Sequence, residues 1–212
     1  MSALQPFTIV EGIAAALPRE NIDTDVIIPS REITSPSREG YGPKLFAPWR
    51  YLDAGGAEDP AFVLNREPWR QASILITGAN FGCGSSREMA VWALQQFGFR
   101  VLIAPSYGAI FRANCLRNGL LPVELPVDAV AYLAERAATD ADAPLRLTVD
   151  LPTCEVRSPS GAAMRFHLAE HERQTLLSGL DPIARTWQQR AAIEAFEATD
   201  RVARPWVWAR HD

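Results

Sequence analysis

The sequence predicts an α/β protein built on a parallel βαβαβ core, and two observations carry that expectation. Three short apolar runs, Ser73 to Ala79, Phe99 to Ala104 and Leu120 to Leu125, are separated by two stretches of helical period. Each of those stretches ends on a glycine, Gly98 or Gly119, the residue that most readily turns the chain out of a last helical turn. Strands alternating with helices in this way are the grammar of a parallel sheet with crossover helices.

Taken in order, Phe7 to Leu17 reads as a strand whose pattern fades in its alanines, and Asn21-Ile-Asp-Thr-Asp25 is a polar turn before the apolar Val26-Ile-Ile28, stopped by Pro29. Carboxylates in such a turn ordinarily cap backbone N–H groups. Arg31 to Pro68 is loose and rich in glycine and proline, including Gly40, Gly55 and Gly56, yet its aromatics Tyr41, Phe46, Trp49 and Tyr51 require that it pack somewhere. A long loop of this kind reads as a lid or binding loop. Ser85 opens the first helix, with Glu88 at capping-box spacing and Ala90, Ala93, Leu94 and Phe97 on its apolar face. The second helix runs from Tyr107 to Asn118. Val127 to Ala138 is an amphipathic helix, and Leu145 to Leu151 and Cys154 to Ser158 are strands. Pro159-Ser160-Gly161 turns the chain into a further strand, Met164 to Leu168. Two helical segments near Ala169 to Leu177 and Ile183 to Thr199 close the chain. The tail from Pro205, with Trp206 and Trp208, either docks on a neighbour or stays loose.

With 212 residues and 48% hydrophobic content, the chain can bury a core as one domain, residues 1–200, followed by a tail at 201–212. A net charge of −4 argues against a general nucleic-acid binder. No basic segment with a long apolar run opens the chain, and no apolar stretch is long enough to span a bilayer, so neither a signal peptide nor a membrane anchor is expected. The three cysteines, Cys83, Cys115 and Cys154, contain no CxxC, which suits reduced thiols in a cytoplasm and offers no metal or iron–sulfur set by spacing.

Chemistry is expected at the first turn of the βαβαβ unit, outside the carboxyl ends of the strands. The loop Gly82 to Arg87 combines two glycines, a helix N-terminus and an arginine fork, a suitable receptor for a carboxylate or phosphate. It is not a dinucleotide fingerprint, since Arg87 stands where the third small residue is needed, nor a P-loop, since no Gly-Lys-Ser/Thr follows. Ser85 has two readings that residue types leave open: a helix N-cap, or a hydroxyl held over a positive helix end beside Arg87 and able to act as a base. Cys83 lacks a nearby histidine and reads as a small residue lining the loop. Arg38, taken alone, reads as a solvated surface arginine. His167-Leu-Ala-Glu-His171 matches a zinc-protease pattern literally, but His167 ends a strand pattern, so the match is coincidental.

The segment Asn80-Phe-Gly-Cys-Gly-Ser-Ser-Arg-Glu88, followed by Ala90-Val-Trp-Ala-Leu94, resembles the signature of the 3-isopropylmalate dehydratase small-subunit family, which corresponds to the swivelling domain of aconitase. The resemblance extends to Asn21-Ile-Asp-Thr-Asp-Val-Ile-Ile-Pro29, Leu45-Phe46 with Trp49-Arg50, and Phe62-Val-Leu-Asn65. It continues through Ile103-Ala-Pro-Ser106, Asn118-Gly-Leu-Leu-Pro122 and Leu177-Ser-Gly-Leu-Asp181, and so spans most of the chain. It implies a β/β/α swivelling domain closing over a large subunit that carries a 4Fe–4S cluster, this chain binding no cofactor itself. The implied reaction interconverts 2-isopropylmalate and 3-isopropylmalate by dehydration and rehydration, a step of leucine biosynthesis. In that resemblance Ser85 is the base, with Arg87 and Asp25 as active-site partners, and Ser86, Gly84 and Arg38 meet the substrate. One departure bears on the substrate: Met89 stands where the family usually has histidine, which leaves open a related dehydratase of the citramalate or 2-methylmalate type. From a different class, a non-catalytic carboxylate-binding module is the other alternative.

Overall fold

The computed structural model describes residues 5–33, 37–53, 56–139, 142–159, 161, 163–180 and 182–208. Its centre is one strand, β1 (Ile9–Leu17), which takes part in two kinds of pairing. The second half of β1, from Ala14 to Leu17, runs parallel to β2 (Ile74–Thr77). Its first half, from Ile9 to Ile13, runs antiparallel to β5 (Arg146–Asp150). Beyond β2 lie β3 (Val101–Ala104) and β4 (Leu121–Glu124), both parallel. Beyond β5 lie β6 (Glu155–Arg157) and β7 (Met164–Arg165), both antiparallel. The sheet order is therefore β4-β3-β2-β1-β5-β6-β7. The parallel half is the βαβαβ unit read from the sequence, with α3 (Glu88–Phe97) and α4 (Ala109–Asn118) as its crossovers.

Side-chain alternation along the strands builds a core on each face. Ala14 and Ala16 of β1, Ile74 and Ile76 of β2, and Val101 and Ile103 of β3 face one side, where Val130, Leu133, Ala134 and Ala137 of α5 (Val127–Ala138) cover them. Ala15, Leu75 and Leu102 face the other, under Ala90, Val91, Ala93 and Leu94 of α3. The alanines that blur the strand pattern of β1 are small because both of its faces are covered.

The loose region packs on the α3 side, where Tyr41, Phe46, Leu64 and Trp69 are buried. One one-turn helix, α1 (Thr24–Ile27), precedes it and another, α2 (Ala47–Arg50), lies within it. The buried Arg50 organises α2: its Nε donates to Asn65 Oδ1 at 3.0 Å, while Asn65 Nδ2 donates back to the Arg50 carbonyl at 2.7 Å. The C-terminal part carries α6 (Glu170–Ser178), α7 (Pro182–Trp187) and α8 (Arg190–Ala203). The last two replace the single helix expected from Ile183 to Thr199, with a break at Gln188 and Gln189. In the tail, Trp208 donates through Nε1 to Asp200 at 2.9 Å, so the described part folds back on α8. Ser160 of the predicted turn, Asp181, Gly55 and residues 209–212 lie outside the described residues.

Candidate active site

Because β1, β2 and β3 are parallel, the loops that follow them leave the same edge of the sheet. Backbone hydrogen bonds tie these loops together. Asn21 N–H donates to the Ala79 carbonyl at 2.9 Å, Gly82 N–H to Ile22 at 2.7 Å and Thr24 N–H to Cys83 at 3.0 Å. On the other flank, Phe81 N–H donates to Ser106 at 3.1 Å and Gly108 N–H to Phe81 at 2.9 Å. Two glycines make this approach possible. Gly82 has φ +71, and a Cβ there would lie 2.2 Å from the Phe111 ring; Gly84 has φ +86.

The loop after β1 supplies α1, capped by Asp23, whose Oδ1 accepts from Val26 N–H at 2.8 Å. This is the capping role expected of that turn's carboxylates. It leaves Asp25, the next carboxylate, free to point elsewhere. Asp25 pairs with Arg87 of the second loop, and Arg87 Nη1 also donates to the Ile28 carbonyl at 3.3 Å. The Arg87 side chain is mostly covered and the Asp25 carboxylate half exposed. Gly84, Ser85 and Ser86 are exposed between them.

The capping reading of Ser85 does not hold. Helix α3 begins at Glu88, with Arg87 in extended conformation (φ −129, ψ 105) as the residue before it and no side chain capping its N–H groups. The cause is local. The Thr24 N–H bond to Cys83 and the Thr24 hydroxyl bond to the Ser85 carbonyl, 2.9 Å, keep the loop out of helical geometry. Glu88 turns away from any capping box and accepts from Asn118 Nδ2 of α4 at 2.7 Å. The side-chain oxygen of Ser85 is thus not committed to the helix.

Arg38, in the loop region before α2, rests against α3. Its guanidinium sits 5.0 Å from the centre of the Trp92 ring, and Gln96 donates to its carbonyl. The arrangement therefore ties the Gly84-Ser85-Ser86-Arg87 loop to the turn that carries Asp25, while the contacts of Arg38 are with Trp92 and Gln96. Met89 is half-buried and packs on the apolar cluster beneath α3. Thr24, Asn21, Asn80 and Ser106 fasten the loops. Residue type does not distinguish them from ordinary turn residues, and their place inside the segments of the family resemblance is the one sequence signal that covers them.

The cysteines do not converge. Cys83 is in the loop, Cys115 is buried in α4, and Cys154 sits by the β5–β6 turn, its thiol donating to the Leu151 carbonyl at 3.4 Å. Burial pushes the Cys115 thiol well up and the Cys154 thiol up. Such a set does not fit an iron–sulfur cluster, and among the described residues no three His, Cys, Asp or Glu side chains gather to hold a metal. His167 precedes α6 while His171 lies within it, so the two do not share a helical face.

A mixed sheet whose parallel half gathers an Asp-bearing and a Ser-Ser-Arg-bearing loop at one edge defines the class of the aconitase swivelling domain, and the aconitase C-terminal domain family matches residues 4–128. The chain belongs to the family of 3-isopropylmalate dehydratase small subunits within that class. It is 54% identical to the 3-isopropylmalate dehydratase small subunit of Cupriavidus necator over 96% of this chain and 98% of that one. It is 46% identical to that of Rhodospirillum rubrum, over 96% and 97% of the two chains. In fold it matches a crystal structure of 3-isopropylmalate dehydratase from Methanocaldococcus jannaschii with TM-score 0.61 at 24% identity, covering 89% of this chain and 99% of that one.

Proposed function

We propose that this chain is the small subunit of a 3-isopropylmalate dehydratase, a hydro-lyase of leucine biosynthesis, and that it works as a swivelling domain closing over a large subunit. Identity of 54% and 46% to small subunits of that name, over nearly the full length of each chain, carries the reading. The 4Fe–4S cluster belongs to the large subunit in this reading, since the thiols of this chain are dispersed. The setting is cytoplasmic, with an alkylmalate as substrate and neither nucleic acid nor membrane as partner; among the described residues, no helix is long and apolar enough to cross a membrane.

Within the shared site, Ser85 removes the proton next to a substrate carboxylate. A serine hydroxyl is far too weak an acid to become such a base in water. Nearby donors, Arg87 and the uncapped N–H groups at the start of α3, lower the energy of its alkoxide once closure excludes solvent. Arg87 and Ser86 hold a substrate carboxylate beside Gly84, Asp25 orients Arg87, and Arg38 binds a second carboxylate on closure. The exposure of Gly84, Ser85 and Ser86 supports a half-site completed by a partner.

The departure at Met89 keeps the citramalate or 2-methylmalate type as the second reading, although its packing beneath α3 directs the side chain to the core rather than the open loop. The test is anaerobic reconstitution with a 3-isopropylmalate dehydratase large subunit, assayed on a panel of alkylmalates. The expected result is the highest kcat/KM on the isopropylmalates. Preference for a methyl-substituted malate would establish the related dehydratase, and binding without turnover would establish a carboxylate-binding module.

A further inference from the structure

We propose that Thr24 is a positioning residue for the reaction, fixing Ser85 in register with Asp25 and Arg87; this rests on the reading that Ser85 acts on the substrate. Thr24 is a polar residue with 1% of its surface exposed, wedged between the loops after β1 and β2. All its hydrogen-bonding groups are engaged. The N–H donates to the Cys83 carbonyl at 3.0 Å, the hydroxyl donates to the Ser85 carbonyl at 2.9 Å, and the carbonyl accepts from Ile28 N–H at 2.9 Å. One residue thus grips alternate carbonyls of the serine loop while belonging to the helical turn that carries Asp25.

The grip matters because nothing helical holds that stretch. Ser85 and Ser86 precede α3, and among the described residues the hydrogen bond made to Ser85 is the one from Thr24. Gly84 accommodates it: a Cβ there would lie 3.4 Å from Asp23 Cβ and 3.8 Å from Thr24 Oγ1, and its φ of +86 turns the chain so that the next carbonyl faces the hydroxyl. If the bond is lost, the Ser85 carbonyl, on an exposed residue, can turn to water. The fold would therefore tolerate its loss, while the serine would lose its fixed bearing on the substrate, and small misplacements of a reacting group are heavily penalised in rate.

Two comparisons in the reconstituted enzyme isolate the hydroxyl. Parent against Thr24→Val changes the hydroxyl and keeps the branched shape; Thr24→Ser against Thr24→Ala changes the hydroxyl with the methyl already gone. The expected result is a kcat lower by up to about 10²-fold in Val and Ala, with KM little changed, large-subunit binding retained, and most of the rate restored in Ser. Rates that follow the methyl rather than the hydroxyl, or Val and Ala variants that both fail to fold, would overturn the proposal. Ser85→Ala is run beside them: if it retains turnover, the reading of Ser85 itself fails. If it loses turnover while Thr24→Val does not, the positioning role alone fails.

Discussion

Asp25 and Arg87 pair across two loops that follow neighbouring strands, 62 residues apart in the chain. With the carboxylate half exposed, such a pair contributes little to stability, roughly 0–1 kcal/mol. Its value is directional: together with the bond to the Ile28 carbonyl it fixes the guanidinium against the loop after β1.

The first prediction follows from that exposure. Arg87→Ala should leave the unfolding midpoint nearly unchanged and weaken substrate binding by roughly 1.5–3 kcal/mol through loss of a charge-assisted contact. Arg87→Lys should recover only part, because an ammonium cannot form the two-pronged contact. Thermal melts of the chain and substrate titrations of the reconstituted enzyme check both; a large loss of stability with normal affinity would make the pair structural.

The second concerns Ser85. A lost N-cap costs about 1 kcal/mol, but α3 is not capped by this residue. Ser85→Ala and Ser85→Gly should therefore unfold like the parent and bind the large subunit, yet lose turnover by at least about 10²-fold, as expected for a missing acid–base group. Destabilisation in Ser85→Ala with near-normal turnover in Ser85→Gly would restore the capping role and move the base elsewhere.

The contrast between these residues shows what the sequence makes legible. The helix Val127 to Ala138 follows from its period and the strand Leu120 to Leu125 from its short apolar run, and the structure has them within a residue or two. The role of β1 did not follow, because no local pattern says that one strand will pair parallel along one half and antiparallel along the other. Arg87 and Asp25 could be singled out by charge and by family signature. Thr24 stands in the same signature, but its role is not legible there, since its hydroxyl bonds a carbonyl 61 residues away, a relation only the folded chain contains. The capping-box spacing of Ser85 and Glu88 misled for the same reason: tertiary bonds from Thr24 and Asn118 overrode a local preference.

The third prediction is a pH dependence. Arg112 of α4 holds Glu172 of α6 through two bonds, 2.6 and 3.0 Å, and this contact keeps the Glu172 carboxyl below the ordinary glutamate range. A folded-state value below the unfolded one means stability present above the unfolded value and lost as pH falls through the folded one. Glu172→Gln should thus be less stable than the parent at neutral pH, by roughly 1–3 kcal/mol, and the difference should close on acidification below the ordinary glutamate range. Denaturant unfolding at several pH values checks it. A difference that stays constant into acid would mean the glutamate contributes by shape and not by charge.

The last prediction concerns iron and the second arginine together, because both depend on the partner. The isolated chain, with its dispersed thiols, should bind no stoichiometric iron or sulfide and show no turnover; iron and sulfide analysis of the purified chain decides this. Arg38 in the isolated chain rests on Trp92 of α3, 5.0 Å from the ring centre, a contact of about 0.5–1 kcal/mol at an exposed site. A charge-assisted contact with a substrate carboxylate, roughly 1.5–3 kcal/mol, suffices to draw it off that ring. Arg38→Ala should therefore weaken substrate binding in the reconstituted enzyme by that larger amount. Trp92→Leu, which removes the resting place together with the Trp92 bond to Asn118 and its ring contact with Tyr41, should leave affinity equal or slightly higher. Equal losses in the two variants would mean that Arg38 works from its place on the ring. Unchanged affinity and turnover in Arg38→Ala would assign the second carboxylate to a different cation.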